Sequence, residues 1–255
     1  MSRNTTSNNS KTVLITGAYG GMGIDMAKAF IARGDNVVIN GRDNAKLQQA
    51  KRSLDDGNTN SSAGKVIAVA GDISDASTGN NIVEAALEHF GSVDVLVNNA
   101  GQFYPKAFVD STEEDLEHFF NVNLKGTYLT TQAAVRQMIK QGSGSVVNIG
   151  TVLVESGFTA FKASAALTSK GGIHALTIAL AAELAEHQIR VNRIAPGVIR
   201  TPLQGDAVDN HAAMHLLNRV GEVEDTTRAT LYLADANYQT GTVVNVDGGY
   251  VGGRS

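Results

Sequence analysis

The chain has 255 residues, 42% of them apolar and 18% charged, with a net charge of −4, 27 glycines, three prolines and no cysteine. This composition excludes a disordered chain, a disulfide scaffold, a thiolate metal site and a thiol nucleophile. The sequence pI near 5.9 argues against nucleic-acid binding through a broad basic face, and no apolar run reaches the roughly 18 residues of a membrane span.

Residues 1–11 are polar and lack the apolar stretch of a signal peptide. They are expected to form a disordered arm, and the expected location is the cytoplasm. The remainder, 12–255, shows no internal repeat or linker and reads as a single domain. Short apolar runs at 13–16, 37–40, 66–70, 93–98, 146–149, 189–194 and 243–246 have the character of strands buried on both faces. Helical spacing separates them: Ile24, Ala27 and Ile31 share one face, as do Ile82, Ala86 and Phe90, and Leu116, Phe119 and Phe120. The polar stretch 55–64 reads as a surface loop, and 165–186 as a long alanine-rich helix. Strand–helix alternation predicts an α/β fold: a doubly wound parallel, Rossmann-like sheet with helices on both faces. Ligands of such sheets bind beyond the carboxyl ends of the strands.

The first strand runs into Thr16, Gly17, Gly21, Met22 and Gly23, and a helix follows. Glycines between a strand and a helix let a phosphate approach the backbone, and the helix start offers free N–H groups and a positive dipole end. The spacing T-G-x-x-x-G-x-G resembles that of the short-chain dehydrogenase/reductase family. Further segments carry the resemblance in order: Gly71-Asp72-Ile73, Asn98-Asn99-Ala100-Gly101, Asn121-Val122-Asn123, Ser169-Lys170-Gly171-Gly172, Pro196-Gly197-Val198-Ile199-Arg200-Thr201 and Val246-Asp247-Gly248-Gly249. It spans nearly everything from Lys11 to Tyr250.

The resemblance implies an NAD(P)-dependent oxidoreductase moving a hydride between nicotinamide and a carbonyl or secondary alcohol. It places Asp72 and Ile73 at the adenine, Asn99, Ala100 and Gly101 along the adenine ribose, and Pro196, Gly197, Ile199 and Thr201 at the carboxamide. Asn98 has the alternative of tying neighbouring strands together. The second strand ends in Asn40, Gly41 and Arg42, with glycine where an acid would select NAD. Arg42 suits a 2′-phosphate, so NADP is preferred and NAD is the alternative. Asp43 reads as a helix cap.

Of the family's four catalytic roles, three are filled by resemblance. Lys170 matches the lysine, Asn123 the asparagine supporting a water, and Thr151 the hydroxyl that holds the substrate oxygen. The tyrosine position, four residues before Lys170, is Ala166, and a methyl group transfers no proton. Ser164, Thr168 and Tyr104 are the candidate substitutes. A second reading follows from Ala166: a dinucleotide-binding scaffold or regulatory protein without turnover.

No metal is expected. His211 and His215 stand four apart without a third ligand and read as part of a polar lid helix within 201–220, where Leu203, Met214, Leu216 and Leu217 offer an apolar lining. Residues 155–162 are expected to form the opposite wall. Glu183 and His187 read as a solvated helix pair. Helices around 116–140 and 165–186 resemble those of the family's intersubunit bundle, so a homo-oligomer, tetramer or dimer, is expected.

Overall fold

The computed structural model describes residues 10–58, 62–155 and 162–253. All seven apolar runs form strands: β1 (Thr12–Ile15), β2 (Asn36–Gly41), β3 (Val66–Ala70), β4 (Val95–Asn98), β5 (Gly144–Ile149), β6 (Ile189–Pro196) and β7 (Val243–Val246). They pair in parallel in the order β3-β2-β1-β4-β5-β6-β7. Seven α-helices are described: α1 (Gly21–Ala32), α2 (Asn44–Asp56), α3 (Ala76–Phe90), α4 (Glu113–Phe119), α5 (Gly126–Gln141), α6 (Ser164–Glu183) and α7 (Val223–Asp235).

The strands are apolar throughout because both faces are covered. On one face, Val13, Ile15, Val37 and Ile39 pack with Met26 and Phe30 of α1, Leu47 of α2 and Leu233 of α7. On the other, Leu14, Val38 and Leu96 meet Ile82 of α3, Ala134 of α5 and Ala181 of α6. The strand order reverses between β1 and β4, so their carboxyl ends diverge and leave a crevice there. Buried polar residues stitch the adjacent strands and helices. Asn98 Nδ2 donates to Asn148 Oδ1 and Thr131 Oγ1, both at 2.8 Å, the strand-tying role given as its alternative. The Asp43 side chain accepts from the Lys46 amide and caps α2.

Several local expectations are corrected. Asp55 and Asp56 complete α2 rather than opening a loop, and residues 59–61 lie outside the described residues. Lys11, placed in the polar arm, is anchored: its backbone N–H donates to Asp35 (2.9 Å) and its ammonium pairs with Asp235. Residues 1–9 lie outside the described residues. The helix expected around 116–140 is interrupted by a π-helical turn at Phe120–Lys125, and Leu116 in α4 is 44% exposed. α6 stops at Glu183, so no Glu183–His187 helix pair forms; a 3-10 turn instead sets His187 beside Glu186 (3.8 Å).

Candidate active site

The crevice begins at the turn after β1. Gly17 (φ +65°) and Gly21 (φ +54°) adopt left-handed backbone that disfavours any side chain. A methyl group at Gly17 would come 2.8 Å from Ala100 Cα, and one at Gly23 would come 2.6 Å from both Asn99 Nδ2 and Gly17 O. The turn after β4 is laced to this one. Thr16 Oγ1 accepts from the Asn99 and Ala100 amides (3.1 and 3.0 Å), and Asn99 Nδ2 donates to the carbonyls of Thr16 and Gly17 (3.0 Å each). Asn99 thus braces the glycine turn with its side chain. Gly20 caps α1 without a side-chain hydrogen bond, and the first turn holds no acid. The amides at this helix start therefore face the groove, with a positive dipole end and no built-in anion.

From there a continuous groove runs in both directions, its two halves sharing Met22, Asn99, Gly101, Gln102, Thr201 and Leu203. The first half is lined by Gly17, Tyr19, Gly41, Arg42, Asp72, Ile73 and Ala100. Asp72 Oδ1 accepts from the Ser74 amide and hydroxyl (2.9 and 2.8 Å). Burial works against its charge, but these bonds and the nearby Arg42 and His118 hold its carboxyl below the usual range. A Cβ at Gly41 would overlap the Tyr19 ring, so Tyr19 fills the space where an acid would stand. With its amide nitrogen on His118 Nε2 (2.9 Å), Gln102 presents its oxygen to the Arg42 guanidinium at 3.0 and 3.3 Å.

The second half is lined by Ile149, Thr151, Val152, Leu153, Lys170, Pro196, Gly197, Val198, Ile199, Phe103 and Tyr250. Thr151 lies two residues past β5 and caps a 3-10 turn, its Oγ1 accepting from the Leu153 amide (3.3 Å). Lys170 lies on α6 and donates from Nζ to the Ile149 carbonyl at 3.0 Å. Burial, with a smaller contribution from the Arg193 charge, pushes the Lys170 ammonium down to about 8. Asn123 sits in the π-helical turn, a distortion frequent at functional sites. Its Oδ1 accepts from the Gln102 amide (2.7 Å), and its Nδ2 donates to Gln102 O (3.0 Å) and Ser169 Oγ (2.9 Å). Both ends of the Asn123 amide therefore hold protein groups together.

Ala166 is fully buried among Phe119, Ala163 and Ala165, with Phe103, Tyr104 and Leu167 packed against the cluster. The three substitute hydroxyls are engaged away from the cleft or aimed elsewhere. Tyr104 Oη donates to Asp115 (3.0 Å), and burial together with Asp115 raises its pKa. Exposed Thr168 donates to the Ser164 carbonyl (2.8 Å). Neither they nor Ser164 line the cleft.

The segment 201–220 departs from a polar lid helix. Asp206–Met214 is 3-10 helix and His215 is buried. His215 Nε2 accepts from the Val198 amide (3.2 Å) while Nδ1 meets His211 O (3.1 Å), which joins the segment to the turn after β6. Leu203 lines the cleft and Met214 packs with Val152 and Tyr250, whereas Leu216 and Leu217 are about two-thirds exposed, at 66% and 65%. Of the expected opposite wall, residues 156–161 lie outside the described residues. Glu155 is drawn inward to Arg193 instead.

Tyr19, Gln102, Phe103 and Arg193 escaped the sequence reading. Only Arg193 left a legible signal, as one of two arginines in a strand that both sheet faces bury.

A parallel doubly wound sheet with a glycine turn, uncapped amides and a groove over its switch point defines a dinucleotide-binding oxidoreductase. The model of the short chain dehydrogenase family matches residues 11–212, and the chain belongs to that family, whose coenzyme is NAD(P). It is 35% identical over 257 residues to an L-rhamnose-1-dehydrogenase of Scheffersomyces stipitis, covering 94% of this chain and 96% of that one. It is also 35% identical to a 3-oxoacyl-(acyl-carrier-protein) reductase of Thermotoga maritima, covering 94% and 98%. A short-chain type dehydrogenase/reductase of Mycobacterium marinum superposes with a TM-score of 0.88 at 33% identity, covering 94% and 95%. ElxO with NADP bound superposes at 0.86 with 29% identity, covering 95% and 99%. These relatives favour redox turnover over a scaffold without it.

Proposed function

We propose that the chain is an NADPH-preferring reductase of ketones, working without the tyrosine its family uses. The single observation that carries the reading is the continuous groove joining the glycine turn to a cleft that holds Thr151 and Lys170. Glycines 17, 21 and 23 and the amide of Met22 would receive the diphosphate, and Asp72 and Ile73 the adenine. Asn99, Ala100 and Gly101 would follow the adenine ribose. Lys170 would hold the nicotinamide ribose, and Pro196, Gly197, Ile199 and Thr201 the carboxamide. When bound, the coenzyme supplies the hydride. Thr151 orients the substrate oxygen, Asn123 fixes the Gln102 backbone at the cleft rim, and Ala166 stands where the family's tyrosine would stand.

The preference for NADPH is supported by two features. Tyr19 over Gly41 leaves no room for a discriminating carboxylate, and Arg42 lines the groove with its guanidinium against the Gln102 amide oxygen and near Asp72. Two charge-assisted bonds to a 2′-phosphate would replace those contacts.

The cleft wall is largely apolar: Phe103, Val152, Leu153, Leu203 and Tyr250 face it. Such a wall favours a ketone with an alkyl or acyl arm over a free sugar. Exposed Tyr128 on α5 and Ile178 on α6, each 49% exposed, support a homo-oligomer. NADPH oxidation with 3-oxoacyl thioesters, simple ketones and aldoses tests the reading. Oxidation with ketones but not with NADH alone at equal concentration is the expected result.

A further inference from the structure

A reductase must give the substrate oxygen a proton. The Tyr250 ring lines the cleft, but its hydroxyl oxygen is buried, and three further described hydroxyls near the cleft serve other partners. Tyr104 donates to Asp115, Thr168 to the Ser164 carbonyl and Ser169 to the Ala166 carbonyl (2.7 Å). Thr151 faces the cleft, but an aliphatic hydroxyl is a far weaker acid than a phenol. Phe103 packs on the Ala166 cluster and also lines the cleft, so an aromatic ring without a hydroxyl borders the space beside Ala166.

Lys170 is different. Its Nζ donates to the Ile149 carbonyl alone among the described residues, and an ammonium has three protons to give. Lys170 lines the same cleft as Thr151. Its Nζ and Asn123 Oδ1 converge on Gly101, where a methyl would meet them at 3.0 and 3.2 Å. We propose that Lys170 Nζ is itself the acid that protonates the substrate oxygen, with Thr151 holding that oxygen in place.

The step balances without any further reagent. The carbonyl carbon accepts the hydride that the family's coenzyme supplies, and the carbon–oxygen π pair moves to oxygen. One Lys170 N–H bond breaks as the O–H bond forms, leaving a neutral amine that water reprotonates. The proposal rests on the redox reading above but assigns the proton independently of which ketone is used.

The surroundings suit an acid working near neutrality. Lys170 is 8% exposed, and the buried Arg193 of β6 acts on it with a positive charge. Arg193 is fully buried; its Nη2 pairs with Glu155, while Nε and Nη1 have no partner among the described residues. Glu155 also accepts from Asn245 Nδ2 (3.1 Å). Asn123 and Ser169 meet this corner as uncharged groups, and His174 lies one turn along α6. Arg193 therefore acts as a positioning residue: it places a positive charge that makes Lys170 give up its proton more readily. Glu155 moderates that charge.

The test uses the full chain and three kinds of variant. Lys170→Arg keeps a cation and donors for a ribose but releases no proton. It is expected to bind NADPH within about threefold of the unaltered chain, by quenching of protein fluorescence, while kcat falls by about 10²–10⁴-fold. Lys170→Ala is expected to regain turnover with added methylamine and other small primary amines, in step with their acidity. The limb of the kcat profile that falls as Lys170 loses its proton is expected near the ammonium's value of about 8. Glu155→Gln, which leaves the Arg193 charge less compensated, moves that limb to lower pH; Arg193→Met moves it higher. The Lys170 ¹³Cε resonance, followed by NMR in the same variants, shifts with it independently of activity. Turnover retained in Lys170→Arg within threefold, or a pH limb and NMR titration unmoved by both neighbours, overturns the proton assignment alone. NADPH binding without turnover in the unaltered chain overturns the redox reading and this assignment together.

Discussion

The two halves of the groove follow different rules. In the half around Gly17 the backbone itself makes the surface: left-handed glycines, uncapped amides and a second turn tied on through Thr16 and Asn99. In the half around Lys170 the surface is made largely by side chains from β5, β6, α6 and the segments that follow β4, β5 and β6, and its chemistry changes with single substitutions. At Gly17 and Gly23 in the first half an added methyl meets backbone atoms. In the second half Ala166 is buried, with Phe103 and Tyr104 packed against its cluster.

The comparison breaks most severely at Gly23. Gly23→Val would drive its side chain into Asn99 Nδ2 and Gly17 O, and calorimetry is expected to find NADPH binding lost by at least about 10²-fold. Retained binding would mean the glycine turn does not form the groove's centre. Arg42→Ala is next. Loss of charge-assisted bonds to a 2′-phosphate costs about 1.5–3 kcal/mol, so the NADPH Kd should rise about 10- to 150-fold while that of NADH changes less than about threefold. An equal effect on both would remove the NADP preference.

The proton-delivery half is sharpened by Ala166→Tyr. Ala166 is fully buried, so the added ring overpacks its cluster and should lower stability by about 1–3 kcal/mol in urea unfolding. Turnover should not rise in that variant. Combining it with Phe103→Ala opens room, and activity at pH values above the Lys170 limb should then increase. Restoration by Ala166→Tyr alone would contradict the packing described for Phe103. The smallest effect is expected at His215→Leu. It leaves the Val198 amide without its acceptor, a loss of about 1–3 kcal/mol, visible as a lower urea midpoint and faster amide exchange at Val198.

Sequence patterns disclosed the strands because a parallel sheet buried on both faces writes itself as uninterrupted Val, Ile and Leu. The glycine turn was legible for a similar reason, since only glycine suits Gly17 and Gly21. Contacts between distant side chains were not legible. Nothing near Asn123 announced the π-helical turn or its bonds to Gln102, and nothing near Gly41 announced the Tyr19 ring above it. His211 and His215 looked like neighbours on a helix, yet a 3-10 segment buries one of them against the turn after β6. Ala166 was visible as a missing phenol, but the burial of Lys170 beside Arg193 emerged only with the fold.

The central claim is that this groove moves a hydride to a carbonyl carbon. NADPH deuterated at either face of nicotinamide C4, incubated with the ketone panel and analysed by mass spectrometry, addresses it directly. Deuterium on the carbinol carbon from one of the two labelled coenzymes is the predicted result. Tight coenzyme binding with no label in any product, at any pH from 6 to 9, would contradict it.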